Sequence, residues 1–297
     1  MRRNNKPIDN RLLLYKERTA SECMNAAFDF IRSNWKILLR YSLYLILPVC
    51  IIQTVGIVTV VDSFIAKAGA PPMADMITFT LFGTVGFVLL NALIWTMVKL
   101  YHDRPDGLTT VTGSIFWHQF WPILGRTAIA TVPLLLILLP ALAFSVLIQV
   151  FIPIAFFASM VVALPILLIA PVYALEPVGL FDAIKRALAM GFRQIGALIL
   201  MAITLVIMVY VLEGVVMLPW GLMIALKSFF ADPTMTTLPI LDVLSKSLFN
   251  LFSVLFCYVT YVSVAVVLIS GAYLYGSSVQ QRDDMSLLTD IDNFENL

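Results

Sequence analysis

The chain has 297 residues, 61% apolar and 12% charged, with a formal net charge of +1. A water-facing domain carries about a quarter charged residues, so this composition excludes an ordinary soluble fold and leaves an integral membrane protein. The basic residues are spread along segment ends rather than clustered, which excludes a nucleic-acid partner.

Residues 1–18 read as a polar, basic tail. A helix is expected next, near 21–36: Thr19 with Glu22 forms a capping box, and Met24, Ala27, Phe28, Ile31 and Trp35 recur as one helical stripe opposite Glu22, Asn25, Asp29, Arg32 and Lys36. It is too polar to cross a bilayer and is expected to lie in the interface, apolar face down. A bilayer core of about 30 Å takes roughly 20 apolar residues per helix, and uncharged runs of that length follow. Spans are predicted near 41–62 and 76–98. A short aromatic segment at 109–121, with Phe116, Trp117, Phe120 and Trp121, is expected at the interface. The uncharged run 127–175 is too long for one crossing, since about 49 residues at helical rise extend over 70 Å. A turn at 149–153 would split it into spans at 124–148 and 152–174. A second amphipathic helix is predicted at 179–193, with Phe181, Ile184, Leu188, Phe192 and Ile195 on one face. Spans at 195–220 and 249–275 complete six, and an acidic tail occupies 277–297.

With the N-terminus inside, 16 of the 19 Lys and Arg fall on the cytoplasmic side and only Lys67, Lys227 and Lys246 lie outside. The positive-inside rule therefore places both termini in the cytoplasm. A basic segment of about 40 residues precedes the first apolar run, so a cleavable signal peptide is not expected. The fold class expected is then all-α integral membrane. Trp35-Lys-Ile-Leu-Leu-Arg40 parallels Trp121-Pro-Ile-Leu-Gly-Arg126, with Phe192-Arg-Gln-Ile-Gly a weaker third copy. This predicts three parallel units, about 19–100, 108–175 and 178–276, each an interfacial helix followed by a two-helix hairpin.

Residues 171–187 read PVYALEPVGLFDAIKRA. The string resembles the membrane domain of bacterial glycerophosphodiester phosphodiesterases and related six-helix membrane proteins. The resemblance implies an inner-interface motif on Pro171, Glu176, Gly179, Lys185 and Arg186, with Ala187 where the family has serine. Its catalytic barrel would follow the last span, where only about 20 residues stand here and none is His. Phosphodiesterase activity is therefore not expected.

The residues themselves assign Glu176 to the positive N-terminus of the following helix, pairing Arg186 or Lys185. Cys23, Cys50 and Cys257 lack paired spacing, so they read as inert thiols. His102 and His118 lie near Asp103 and Asp106 in a polar turn without a fixed metal geometry. No catalytic motif is present, and no cofactor or metal is expected. Glu213 is the one acid in a long apolar run, about 4–5 Å outward of the span's centre by helical rise. Gln53, Thr54, Tyr258 and Tyr261 reach similar depth, and Tyr210 shares its helix face. An intramembrane acid normally faces the bundle interior. Glu213 is thus expected inside, neutral, and donating to Gln53 or a tyrosine, either as interhelical glue or as a group that titrates with transport.

Anionic headgroups are the expected lipid partners of the basic residues. The acidic tail is read as a solvated end, or as a docking stripe of Leu287, Leu288, Ile291 and Phe294 for a protein partner. The leading expectation is a non-enzymatic accessory or scaffold subunit of a membrane assembly. The alternative is a transporter or channel for a lipid-like amphiphile.

Overall fold

The computed structural model describes residues 12–65, 73–104, 107–147, 164–230 and 239–295, and among them no strand occurs. The first helix, α1, runs Ala20–Leu45 and starts from the predicted box: Thr19 N–H donates to Glu22 Oε2 at 2.8 Å and Glu22 N–H to Thr19 Oγ1 at 3.4 Å. It continues through Arg40 without the expected change from interfacial helix to span. No Gly or Pro stands between 21 and 45 to break it. The break comes at Ile46, where the chain bends by 53° into α2, Leu47–Ile65. Pro48 is the cause, since it has no N–H to donate back and its ring crowds the carbonyl a turn earlier.

Helix α3 is Met73–Asp103 and α4 is Gly113–Leu147. The α4 backbone stays helical through Pro122, Pro133 and Pro140, so the aromatic segment and the predicted third span are one helix. The turn expected at 149–153 lies outside the described residues. Leu168 interrupts the next helical stretch before α5, Ile169–Leu175. Pro171 removes a hydrogen bond there, which breaks the predicted fourth span near its end. Helix α6 is Leu180–Arg193, and a turn at Gln194 separates it from α7, Ile195–Phe230. The last helix, α8, runs Pro239–Glu295 over 57 residues, about 85 Å at helical rise.

Among the described residues three helices are long and apolar enough to cross a membrane (α3, Ile195–Ser228 of α7 and Val243–Arg282 of α8), or four if the bent pair α1–α2 is one span. These carry four of the six predicted spans.

Helix α8 packs on α1, α2, α3 and α7, and α3 also meets α2 and α4. The core concentrates at one end, where Ala92–Val98 of α3 and Ala272–Val279 of α8 are buried throughout. Small residues set these approaches. On α1 the buried face is Cys23, Ala27, Phe30 and Asn34, leaving Phe28 and Trp35 of the predicted stripe exposed. Helix α6 likewise buries Ala183, Ala187 and Gly191 and exposes Phe181 and Phe192.

The boundaries expected at 18 and 276 are not breaks in packing. Leu14 is buried, Arg18 N–H donates to Ser277 Oγ at 2.9 Å, and Ser277 Oγ–H donates to Arg18 O at 3.1 Å. A Cβ at Gly276 would fall on the Leu14 carbonyl, so only glycine admits this strap. Ser278 continues the contact by donating to Gln194 Oε1 at 2.7 Å. The α8 backbone is helical across the segment read as an acidic tail, as far as Glu295.

Candidate functional site

Two polar clusters hold most of the residues singled out in the sequence. The first forms where α5 ends. Glu176 caps that helix in extended conformation, its N–H donating to Val172 O at 3.0 Å. Pro177 cannot continue the helix, and Gly179 starts α6 as its N-cap. This short link turns the Glu176 carboxylate back over α6 and α8. Arg186 Nη1 donates to Oε2 at 2.7 Å and the Tyr275 hydroxyl donates to Oε1 at 2.6 Å. Arg126 Nη1, from α4, donates to the backbone carbonyls of Glu176 at 2.8 Å and Tyr173 at 3.1 Å. Its guanidinium also stands 5.4 Å from the Tyr173 ring centroid. One carboxylate and its own carbonyl therefore join α4, α5, α6 and α8.

The expected Glu176–Arg186 pair forms, while Lys185 is exposed and Pro171 is buried. Sequence reading missed Tyr275, which lies 99 residues from Glu176. Arg126 was visible only as the end of the Trp-Pro-Ile-Leu-Gly-Arg match.

The second cluster lies between α2, α3 and α8. Gln53 is buried, and its Oε1 accepts from the Tyr261 hydroxyl at 3.0 Å and from Cys257 Sγ at 3.3 Å. Tyr261 seats against Gly86, where a Cβ would overlap its ring and hydroxyl. Thr54 turns back on its own helix, donating to Cys50 O at 2.8 Å. Tyr258 leaves the cluster and meets Ser42 Oγ of α1 at 2.6 Å. All three cysteines are reduced and buried.

Glu213 and Tyr210 do not join these residues. Among the described residues Glu213 has no hydrogen-bond or ion-pair partner; it is partly exposed, and Tyr210 is 72% exposed. The expected bond from Glu213 to Gln53 or a tyrosine is thus corrected. Tyr261 and Cys257 occupy the Gln53 oxygen, and Glu213 makes no hydrogen bond to it. Helix α7 is held instead by Trp220, whose Nε1–H donates to Ser253 Oγ at 2.9 Å while its ring stacks on Phe256 at 4.9 Å. Lys227 pairs with Asp62 of α2.

His102 is packed by the rings of Tyr101 and Tyr273, with centroids at 5.0 and 6.1 Å, and His118 is exposed. No group of three metal-binding side chains exists among the described residues.

No family model matches the chain, and no curated protein or solved structure matches it either. None of these comparisons supports the resemblance to the phosphodiesterase membrane domain.

Proposed function

We propose that the protein is a non-enzymatic, six-span subunit of a membrane assembly, and that the Glu213 face of α7 docks a partner helix. Its three repeated units would stand with the basic ends, and both termini, in the cytoplasm of a bacterial cell. The observation that carries this is the unpartnered acid. An intramembrane carboxyl is costly against lipid and normally finds a partner or a cavity, and Glu213 finds no partner in the described part of its own chain. Val206, Tyr210, Met217 and Gly221 share its side of the helix by spacing, and Gly214 is its neighbour in sequence. Val206, Tyr210 and Met217 are exposed, and nothing lies within 4 Å of a Cβ built at Gly214 or Gly221. Small residues beside a hydrogen-bonding one are what close helix association in membranes uses. The partner would carry a polar side chain, such as an amide or a cation, at the depth of Glu213.

Transport is less well supported. A transport path needs polar groups open to water at mid-depth, whereas Gln53 and Thr54 are buried and already bonded.

The test is native mass spectrometry of the full chain extracted from its own membrane in mild detergent. A particle larger than one chain is expected, and Glu213→Ala should dissolve it without loss of helicity. A monomeric wild type, an assembly indifferent to Glu213→Ala, or solute uptake by the purified chain alone in proteoliposomes would each refute the proposal.

A further inference from the structure

A second unpartnered feature lies on a different side of the bundle and is independent of the α7 face. Where α1, α3 and α8 meet, an open cleft of about 210 Å³ is lined by apolar side chains, among them Ile31, Leu38, Ile46, Leu90, Ile94 and Ala265. Its polar groups are engaged with one another or with the interior: Ser42 with Tyr258, and Tyr261 with Gln53. What remains is a hydrocarbon slot. From Ile31 to Ile46 the α1 wall advances about 22 Å at helical rise, so the slot runs lengthwise along the bundle. Pockets for whole small molecules are usually about 300–1,000 Å³, so this one takes a single chain rather than an entire lipid.

Charge flanks its α1 wall over about half of that length. A shallower depression lined by Trp35, Lys36, Leu39 and Arg40 shares Trp35 and Leu39 with the cleft. Arg32, Lys36 and Arg40 recur every fourth residue, so they form one ridge beside the wall residues Ile31 and Trp35. All three are exposed and, among the described residues, none is in an ion pair. Lys36 Nζ stands over the Trp35 ring, 5.8 Å from its centroid. Between Phe28 and Tyr41 only Asp29 is acidic, so the ridge keeps a positive excess.

We propose that this cleft seats one acyl chain of an anionic phospholipid, whose phosphate rests on the Arg32–Lys36–Arg40 ridge. The slot supplies length and apolar walls, the ridge supplies the charge that selects the headgroup, and Trp35 borders both. A neutral lipid would fill the slot without gaining the ridge.

The test uses the full chain in nanodiscs with a phosphatidylglycerol that carries a photoactivatable diazirine at mid-chain. Adducts are expected to concentrate on residues 31–46 of α1 and 258–269 of α8. Unlabelled phosphatidylglycerol should displace them several-fold better than phosphatidylcholine, and Arg40→Gln should weaken that competition about fivefold, the worth of one cation near a lipid surface. Ala265→Phe, which fills the slot, should abolish these adducts. Adducts spread as densely over the exposed face of α7, or equal competition by the two lipids, would reduce the cleft to ordinary lipid solvation and overturn the proposal. Adducts surviving in a folded Ala265→Phe protein would overturn it too. The wild-type labelling pattern decides the matter even if no variant folds.

Discussion

Glu176 and Glu213 are both carboxylates in largely apolar surroundings, and the protein treats them oppositely. Glu176 lies at a helix end, where a broken backbone turns its side chain inward, and it accepts from Arg186 and Tyr275 at 2.7 and 2.6 Å. Glu213 lies mid-helix on α7, with no side-chain partner among the described residues. The contrast separates two uses of a buried-type acid. One closes the fold of its own chain, and the other is left open by that fold.

The largest expected effect tests that division directly. Glu176→Ala removes two charge-assisted bonds and leaves Arg186 and Tyr275 unpaired. Hydrogen bonds to charged groups contribute about 1.5–3 kcal/mol each, and the partial exposure of Arg186 keeps the total near the lower end, about 3 kcal/mol. Thermal unfolding in detergent should show this loss, whereas Glu213→Ala should leave the midpoint of the isolated chain nearly unchanged. Equal destabilisation by the two would erase the distinction.

A smaller effect probes the well-packed end on which Glu176 depends. Gly276→Ala places a methyl group on the Leu14 carbonyl, and overpacking of this kind costs about 1–3 kcal/mol. Limited proteolysis should then cut the strap before Thr19 faster than in the wild type. An unchanged cleavage rate would mean that the strap is not held there.

The smallest effect is at the start of α1. The Thr19 backbone N–H, and then its side chain, hold the Glu22 carboxyl below its ordinary value. A depressed folded-state pKa means the contribution is present above the unfolded carboxylate's pKa and is lost as pH falls through the folded one. Acidification across that range should therefore lower the thermal midpoint slightly in the wild type. Glu22→Gln, which cannot ionise, should lose this part of the slope. An identical pH slope in both proteins would show that the box contributes nothing.

These sites also show what sequence makes legible. Apolar runs locate α3, α7 and α8 because length against bilayer thickness is a one-dimensional property. The Thr19–Glu22 box and the Glu176–Arg186 pair were readable because both are local. Tyr275 and Arg126 were not, because only tertiary packing brings them to Glu176. The break at Ile46 follows from Pro48, yet the amphipathic pattern drew attention to the Trp35–Arg40 boundary, where the helix runs on. The failure at Glu213 has a different origin. Depth along α7 follows from residue number, but a helix apolar on all sides carries no signal of its rotation about its own axis. Gln53 and Tyr261 were placed at the same depth and do meet, while Glu213 was placed there too and does not join them.

The strap also orders events in time. Arg18 leaves the ribosome 259 residues before its hydrogen-bonding partner Ser277. Until α8 has been synthesised and inserted, Leu14 has no pocket and the N-terminal segment stays open to proteases. Seating of the strap against Gly276 and Ser277 is therefore a late step of biogenesis, and a chain interrupted before α8 would carry its N-terminal segment undocked.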